Sequence, residues 1–542
     1  MAFTRRQFVT LVSAGGILGA AGCAADGSEP VSDTSLTYLE SAFFTSLYPP
    51  SVGFYPNGGV MNNIADRLLY QHPETKQLHP WIAEELPEIN QDGTEFTFRL
   101  RRGVTHSDGS RLDARNVARN FDLFGLGDKN RKLTVSEQIT GYLRSEVLDD
   151  YTVKFYFEKP ALGFPQATSS MNAGLLSDAT LELDNTGFGP GNATEIIASG
   201  PFVITDEKLG TELVLEARGD YAWAPPILEH QGRANLDRIT IALASEDSVR
   251  VGALIANQAH IARQIEAPVE DHLLDQGLKI VAAATNGVNN SWDLRFQHPL
   301  LSDIRVRRAI GYGIDRQHIL TTLFSPRYKM ATGPLASTAL GYVDHSEAYR
   351  YDPTEAQRLL DDAGWVPGED GIRTKGGNRL SLTVNWSPVQ PRNREQSTVI
   401  QEQLRRIGIE INIFPGDRSA QSAATLDHNI IQINSSMVGR ADYDVIKSQY
   451  CSENRDTLLN LNPDTQTIGD QELEDLTFAV AQAASDEERA ANSAKIQQLL
   501  IDKAYSIPIF EEPQVFGLQP AVKDFMTDPI GRPSFYSVRI ES

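Results

Sequence analysis

Apolar and polar residues alternate with a period of two in several short stretches of the chain, and this alternation predicts β-strands. Between these stretches, apolar residues recur every three to four positions, which predicts amphipathic helices. Because the pattern switches repeatedly between the two periods, we assign the chain to the mixed α/β class. The predicted strands lie at 96–100, 151–157, 202–205, 212–216, 380–384, 409–413 and 507–510.

Several predicted helices have recognisable ends. Asp113 precedes a run whose apolar residues share one face, so its carboxylate should cap a helix there. Pro353 stands at the first turn of another predicted helix, and Gly364 ends it. Two further helices are predicted at 397–407 and 486–503.

Chain length bounds the number of lobes. The 542 residues exceed the roughly 250–300 that one hydrophobic core supports, so two lobes are expected. The stretch 282–290 is rich in alanine and asparagine and has little periodic pattern. We therefore predict that the chain crosses from one lobe to the other there.

The first 23 residues have the order of an export signal. Arg5-Arg6 precedes an apolar run at 8–21, and Cys23 follows it. The run is shorter than the roughly 20 residues of a membrane-spanning helix, so we expect residues 1–22 to be a cleaved signal peptide. Cys23 is then the predicted lipidation site, at the start of a lipidated tether over 23–35.

Two questions about this signal stay open. The cysteine could be incidental to an ordinary secretory signal. The export route could be either the twin-arginine route, because of the paired arginines, or the general one. In either case we expect the mature protein outside the cytoplasmic membrane, lipid-anchored to its outer face or lying in the periplasm.

Charge and cysteine content exclude several classes of function. The formal net charge of −22 argues against nucleic acid as a partner, because binding to phosphates needs a basic surface. If Cys23 is acylated, Cys451 has no cysteine partner within the chain, which excludes an intramolecular disulfide and a thiolate metal cluster. We expect Cys451 to be a small buried residue.

Motifs of common enzymes are missing from the sequence. It contains no Gly-x-Ser-x-Gly and no phosphate-binding Gly-x-x-x-x-Gly-Lys-Ser/Thr. The ten histidines are scattered, without a pair at helical spacing to hold zinc. We therefore predict a protein that is not an enzyme, with no cofactor, no bound metal and no catalytic residues.

Several segments, in order, resemble one family. The segment 98–117 is similar to the signature strand, turn and helix of the extracytoplasmic solute-binding proteins of ABC importers, family 5, the dipeptide, oligopeptide and nickel class. The resemblance extends from about residue 36 to the C-terminus. Further blocks that resemble the family lie at 74–84, 198–221, 302–316, 351–365, 404–408 and 505–509.

The resemblance implies a two-lobed periplasmic-binding-protein-like fold of type II. Lobe I would span 36–284, with an extra subdomain at about 65–195. Lobe II would span 285–512, and residues 513–542 would return to lobe I. Closure of the two lobes about a hinge would enclose a ligand, and an importer would recognise the closed state.

The resemblance also suggests ligand-binding residues in lobe II. Family members that bind peptides often anchor the α-amine on an acidic residue, and Asp442 is the expected equivalent, with Asp444 as its competitor. The alternative for Asp442 is a solvated loop carboxylate that contacts no ligand. Arg295 stands where the family usually has asparagine, and its planar fork could hold a carboxylate. The alternative for Arg295 is a structural pair with a neighbouring aspartate. Trp292, Trp386 and Arg440 are the expected companions of Arg295.

The first lobe should contribute a cleft-facing loop. By the same resemblance, Phe43, Phe44, Tyr55 and Asn57 lie on that loop and are candidate ligand-binding residues. Large aromatic residues are also common in protein cores, so a purely structural role for the rings is the alternative.

These inferences lead to one expected function and several rivals. We expect a monomeric solute-binding lipoprotein that captures small peptides and delivers them to the permease and ATPase subunits of an ABC importer. The first alternative is a metal chelate or carboxylated metallophore of the nickel or opine type as the imported solute. More remote alternatives are a secreted hydrolase with dispersed catalytic residues and a sensor or chaperone that uses the same lobes.

Overall fold

The computed structural model describes residues 34–387, 390–453 and 458–541. Two mixed sheets organise these residues. The predicted lipidation site, Cys23, and the signal and tether up to residue 33 lie outside the described residues.

The first sheet has seven strands and forms the centre of the lobe that we call lobe I. Its first strand, Ser35–Glu40, pairs in parallel with Arg238–Leu243, and Tyr38 lies opposite Ile241. Leu36 and Tyr38 point into the core, and each is at most 2% exposed. In spatial order the strands are Lys279–Ala284, Pro513–Leu518, Ile261–Arg263, Ser35–Glu40, Arg238–Leu243, Glu212–Ala217 and Phe202–Lys208.

The second sheet has six strands and forms the centre of lobe II. Its central strand, Gly287–Leu294, is buried along its whole length, because it is hydrogen-bonded on both sides and packed on both faces. In spatial order the strands are Lys329–Met330, Ser506–Glu511, Gly287–Leu294, Ile433–Gly439, Ser381–Val384 and Glu410–Ile413.

Two short crossings connect the sheets. The chain leaves the first sheet after Ala284 and enters the second at Gly287. It returns between the strands Ser506–Glu511 and Pro513–Leu518, so Glu512 alone separates them. Two crossings of one or two residues leave the lobes joined by extended backbone, the arrangement that permits a hinge.

A smaller four-stranded sheet extends lobe I. It contains Glu88–Ile89, Glu95–Arg99, Thr152–Phe157 and Tyr142–Asp149, packed against the helix Ala114–Leu126. The alternation predicted strands at 96–100 and 151–157, and both are confirmed with shifts of one residue. Aromatic rings fill the space beneath, with the ring centroids of Phe121 and Phe155 4.9 Å apart.

Helix ends follow the local chemistry in most places. Asp113 accepts hydrogen bonds from the main-chain N–H groups of Arg115 at 3.0 Å and Asn116 at 3.1 Å, which confirms the predicted cap. The helices are Tyr55–Ile64, Ala114–Leu126, Phe164–Ala167, Asp247–Ile255, Ala267–Asp275, Ile304–Gly313, Arg316–Leu323, Pro353–Asp362, Asn393–Arg405, Arg418–Thr425, Val445–Tyr450, Gln471–Gln482 and Asp486–Asp502.

None of these helices combines the length and the apolar composition needed to cross a bilayer, as judged over the described residues. Cys451 is buried, as expected from the sequence, with 6% of its surface exposed.

Short two- and three-stranded pairings cover the rest of the chain. The hairpin Leu69–Gln71 with Leu78–Pro80 lies in lobe I, and Met526–Thr527 pairs with Pro533–Ser534 in the C-terminal segment. The other short strands are Val366–Pro367, Arg373–Lys375, Asn378–Arg379, Leu461–Asn462, Thr467–Ile468, Val522–Lys523 and Arg539–Ile540.

Candidate functional site

A cavity of about 70 Å³ lies where the two lobes meet. Lobe I and the C-terminal segment form most of its wall, and Gly439, Arg440 and Ala441 of lobe II close it. The lobes touch at this point, because the Gln71 side-chain amide donates a hydrogen bond of 2.9 Å to the main-chain oxygen of Ala441. A volume of this size holds several water molecules, so a larger ligand would enter only with the lobes apart.

Aromatic side chains form the apolar part of the cavity wall. Tyr70, Trp81, Tyr221 and Tyr536 line it together with Met171. Trp81 stands at the end of the hairpin that follows the first helix, and its main-chain N–H donates to the oxygen of Leu68 at 3.2 Å. A wall of fixed rings suits the apolar body of a small organic solute.

Arg67 is the cationic group on the lobe I side of the cavity, and its side chain is largely buried, with 6% of the residue exposed. Its Nη2 donates to Asn62 Oδ1 at 2.9 Å, and its Nη1 donates to the main-chain oxygen of Ala65 at 3.2 Å. The guanidinium lies over the Trp81 ring, 4.5 Å from the centroid. Burial lowers the pKa of Arg67, while the charges of Asp528 and Asp66 oppose that shift.

Arg440 is the cationic group on the lobe II side. Its Nη2 lies 3.0 Å from Asp444 Oδ1, and its Nη1 donates to Ser448 Oγ at 3.2 Å. The residue is 4% exposed, and it follows directly on the strand Ile433–Gly439. The end of a central strand therefore places a guanidinium at the closing face of the cavity.

The C-terminal segment supplies one acidic side chain. Asp528 lines the cavity, and its Oδ1 accepts hydrogen bonds from the main-chain N–H groups of Ile530 at 3.0 Å and Arg532 at 2.8 Å. Burial raises the pKa of Asp528, and the charges of Arg532 and Arg67 oppose this effect. The cavity wall thus presents two guanidinium groups and one carboxyl group.

Asp442 lies behind this wall, in an ion pair with Arg489. Both side chains are 3% exposed, and the main-chain N–H of Asp444 also donates to Asp442 Oδ2 at 3.3 Å. The lobe I residue Gly163 packs against the pair, since a Cβ atom there would lie 3.0 Å from Arg489 Nη2. The carboxylate expected to receive a ligand amine is therefore already neutralised within lobe II.

Arg295 lies away from the cavity. It is 1% exposed, and its guanidinium donates to the main-chain oxygens of Thr425 and Ile431, the latter at 2.7 Å. These bonds hold the end of the helix Arg418–Thr425 to the sheet. These bonds give Arg295 a structural role within lobe II, and its place outside the cavity wall does not support the expected role as a receptor for a ligand carboxylate.

The two tryptophans expected beside Arg295 are separated in the structure. Trp292 is fully buried in the core around the second sheet. Trp386 lines a different groove between the lobes, together with Glu266 of lobe I, and its Nε1 donates to the oxygen of Phe414 at 3.1 Å. Of the lobe II candidates, Arg440 is the one that reaches the cavity.

Of the four lobe I candidates, Phe44 lies in the core of lobe I, and Phe43 and Tyr55 pack against that core. The rings of Phe43 and Phe44 contact each other at a tilt of 44°, with centroids 4.8 Å apart. Asn57 is 1% exposed, and its side-chain oxygen accepts the main-chain N–H of Thr45 at 2.7 Å. Phe43, Phe44 and Asn57 do not line the cavity in the described structure.

Tyr55 occupies a position between charged groups. Its hydroxyl donates to the main-chain oxygen of Gly531, and its ring lies 4.1 Å from the Arg263 guanidinium and 5.3 Å from that of Arg532. Tyr55 therefore links the first helix to the C-terminal segment next to the cavity, without forming part of its wall.

Sequence reasoning missed Arg67, Trp81 and Asp528. One signal was present, because Asp66-Arg67 interrupts an otherwise apolar run from Ile64 to Leu69. Two charged residues inside a buried run indicate either an internal network or a site. Asp66 forms the network, since it accepts hydrogen bonds from Trp223 and Tyr221, while its neighbour reaches the cavity.

Within the described ranges, no three His, Cys, Asp or Glu side chains are placed together so as to hold a metal ion.

Comparison with known proteins places the chain among solute-binding proteins. Residues 77–455 match the family described as bacterial extracellular solute-binding proteins, family 5 Middle. The di/tripeptide-binding protein 2 of Pseudomonas aeruginosa is 26% identical over 359 residues, which cover 63% of this chain and 64% of that relative. This match spans less than two thirds of the relative's length, so it does not by itself assign that relative's ligand to this chain.

Solved structures show the same two-lobed fold over most of the chain. The NikA protein of Brucella suis in complex with Fe(III)-EDTA has a TM-score of 0.77 at 21% identity and covers 94% of this chain and 100% of its own. The periplasmic binding protein DppA of Helicobacter pylori in complex with the peptide STSA has a TM-score of 0.78 at 20% identity, with 94% and 98% covered. At such identities the likeness establishes the fold.

Proposed function

The chain belongs to the bacterial extracellular solute-binding proteins of family 5, and on that premise we propose that it captures small peptides between its lobes for an ABC importer. The family consists of substrate-binding transport proteins, so the proposed action is to bind a solute and release it unaltered. Delivery to a permease and its ATPase is part of the proposal, as is a monomeric state.

The observation that carries the proposal is the cavity at the junction of the lobes. Lobe I, the C-terminal segment and the lobe II segment 439–441 each contribute to its wall. Opening about the crossings at 285–286 and 512 would therefore dismantle one wall and free the ligand. The lobe boundaries at 284/285 and 512/513 are part of this proposal, and the strand memberships support them.

Peptides suit the chemistry of this wall. Asp528 offers a carboxyl group for the amine of a peptide, and the aromatic rings offer apolar surface for its side chains. The relatives named for di- and tripeptides and the neighbour in complex with a peptide also favour this class of ligand.

A metal chelate is the second candidate ligand. Two guanidinium groups, those of Arg67 and Arg440, line one small cavity, and such groups bind carboxylates in planar, bidentate geometry. A carboxylated chelate would use both, and one solved neighbour is in complex with Fe(III)-EDTA.

Native mass spectrometry of the protein purified from its own host tests the proposal. We expect a co-purified peptide that is released with its mass unchanged after the protein is unfolded. A chelate in place of the peptide would favour the second candidate. Recovery of a cleaved or otherwise converted compound would overturn the transport proposal, because a carrier leaves its cargo intact.

The location of the protein is a separate part of the proposal. We propose that Cys23 is lipidated and holds the protein at the outer face of the cell membrane. The variant Cys23→Ser should move the protein from the membrane fraction to the soluble extracytoplasmic fraction. Unchanged membrane association of this variant would contradict lipid anchoring and leave the binding function untouched.

A further inference from the structure

We propose that Arg67 is the receptor for a carboxylate of the ligand, and that the site therefore takes carboxylated solutes with an apolar or aromatic body. The proposal rests on the proposed function, since it names the chemistry by which the same cavity would select its solute. It assigns to lobe I a role that the sequence suggested for Arg295 of lobe II.

The Arg67 guanidinium has N–H donors that lack acceptors in the described structure. A guanidinium has five N–H donors, and the bonds to Asn62 and Ala65 occupy two of them. Its Nε is buried without a hydrogen-bond partner in the described structure. Over the same residues, Arg67 makes no ion pair, although it is nine-tenths buried. A buried charge in this state is costly unless a counter-ion arrives.

A comparison within the same lobe shows what a satisfied arginine looks like here. Arg218 is also 6% exposed and also lies over a tryptophan ring, that of Trp223, at 5.1 Å. Its guanidinium donates to the oxygens of Asp220, Thr105, His106 and Ser199, and it pairs with Asp220 at 2.8 Å. Arg67 has the same burial and the same stacking but lacks these partners.

The acidic groups near Arg67 are already engaged elsewhere. Asp66 accepts hydrogen bonds from Trp223 at 2.7 Å and Tyr221 at 3.1 Å, and burial raises the pKa of Asp66 to about 7. Asp528 accepts two main-chain N–H groups of its own turn. Their charges act on Arg67 from a distance, but among the described residues neither acid forms an ion pair with the guanidinium, so donors remain for a ligand carboxylate.

The surroundings determine the rest of the ligand. Arg440 lines the lobe II side of the cavity, but its guanidinium is paired with Asp444, so Arg67 supplies the positive charge that a bound carboxylate would meet. The Gln166 side-chain oxygen and the Trp81 indole N–H are buried without partners, and both residues line the cavity. They would serve a polar group next to the carboxylate, while Tyr70 and Met171 contact an apolar body.

The cavity also leads toward a larger space. Tyr70, Leu228, Met526 and Ser537 line both the cavity and an outer groove of about 660 Å³. A solute whose carboxylate sits at Arg67 could therefore extend its body along that groove. This geometry accommodates ligands of different length with one shared charged group.

Three probes test the inference with the purified full-length protein. They are a random dipeptide pool with free C-terminal carboxylates, the same pool amidated at the C-terminus, and Fe(III)-EDTA. Binding is measured by calorimetry and by tryptophan fluorescence, to which Trp81 in the wall contributes. We expect the wild type to bind the free-acid pool roughly 10- to 100-fold more tightly than the amide pool, the effect of losing a charged hydrogen bond.

Two variants of Arg67 and one control variant identify the responsible arginine. Arg67→Gln should abolish the preference for the free acid, and Arg67→Lys should restore part of it. Arg218→Gln is the matched control, because it removes an equally buried guanidinium of the same lobe that lies outside the cavity, and it should keep the preference. If Arg67→Gln fails to fold, the preference for the acid pool over the amide pool is compared between the wild type and Arg67→Lys. A smaller preference in Arg67→Lys would support the receptor, and an equal one would overturn it.

The outcomes separate this inference from the proposed function. Equal binding of the acid and amide pools by the wild type would overturn the carboxylate receptor and leave peptide binding intact. Binding of Fe(III)-EDTA alone, weakened in Arg67→Gln, would support the receptor and reject peptides. If none of the three probes binds, the assignment of Arg67 as a carboxylate receptor is overturned. The transport function is then tested separately by the mass of the co-purified compound.

Discussion

Replacing Asp442 by asparagine distinguishes a structural carboxylate from a ligand anchor. Asp442 forms an ion pair with Arg489, and each side chain is 3% exposed. The substitution keeps the shape of the side chain and removes its charge. It would leave the Arg489 guanidinium buried, with Asp486 and Asp444 as its remaining acidic neighbours.

Two independent estimates give the loss of unfolding free energy in Asp442→Asn. Removing one partner of a buried ion pair costs about 3–5 kcal/mol of unfolding free energy, because the other charge is left uncompensated. Burial opposes ionisation of Asp442, but the charge of Arg489 prevails and lowers the pKa of Asp442 to about 2. A shift of this size corresponds to about 2–3 kcal/mol at neutral pH. We therefore expect a loss of about 2–5 kcal/mol.

Urea denaturation at pH 7 measures this loss. The matched control is Asp486→Asn, which removes the exposed aspartate beside Arg489, since Asp486 Oδ1 lies 3.4 Å from Arg489 Nη1 and its side chain is 68% exposed. Because Asp486 is exposed to solvent, losing its contact with Arg489 should cost less than about 1 kcal/mol. Because the pKa of Asp442 is depressed, its contribution is present above about pH 4 and is lost as the pH falls toward 2, so the variant and wild type should converge in acid.

Equal losses in the two variants would refute the reasoning, because they would mean that burial of the pair has no energetic consequence. A second contrary result is an Asp442→Asn protein of normal stability that no longer prefers ligands with a free α-amine. That result would return Asp442 to the role of amine anchor and require the pair with Arg489 to open when a ligand binds.

Three further predictions concern the hinge and the packing of lobe I. The Arg418 guanidinium lies 3.7 Å from the ring centroid of Phe54 in the other lobe, so Arg418→Ala should shift the protein toward the open state by about 0.5–2 kcal/mol, seen as a larger radius of gyration in solution scattering. Burial raises the pKa of Glu512 to about 7, so ionisation of this carboxyl group destabilises the fold as the pH rises from about 4.5 to 7. The free energy of unfolding of Glu512→Gln, measured by urea titration, should therefore rise by about 2–3 kcal/mol relative to that of the wild type between pH 5 and pH 8. A difference that does not change with pH would contradict this prediction. A Cβ at Gly200 would lie 2.4 Å from a main-chain carbonyl carbon, so Gly200→Ala should lower the melting temperature by several degrees, whereas Gly252→Ala, with nothing within 4 Å, should not lower it.

Local elements were predictable where one residue determines a local geometry. The cap at Asp113 and the first-turn proline at Pro353 are confirmed, because a side-chain acceptor and a fixed φ act within a few residues. The helix predicted to start at 397 begins at Asn393 instead. Its N-cap residue is Arg392, with a φ of 51° and no side-chain cap, and such a start has no sequence signature.

The family and its two-lobed fold were also predictable, because several blocks resemble the family in the same order, and both expectations are confirmed. The residues that line the cavity were not predictable from the sequence. Arg295 and Arg67 both stand beside apolar stretches, and the neighbouring sequence does not show which of them lies at a ligand site. The first is held by main-chain oxygens of Thr425 and Ile431, and the second faces a cavity.

The sequence by itself determined the class of the protein, the position of several strands and helices, and the acidic character that argues against nucleic acid as a partner. These properties depend on local periodicity, capping and composition, which are read along the chain. Tertiary structure alone decided which charges meet. The partner of Asp442 is 47 residues away and the cavity joins residues 67, 440 and 528, so the chemistry of the site arises from distances in space that no local pattern encodes.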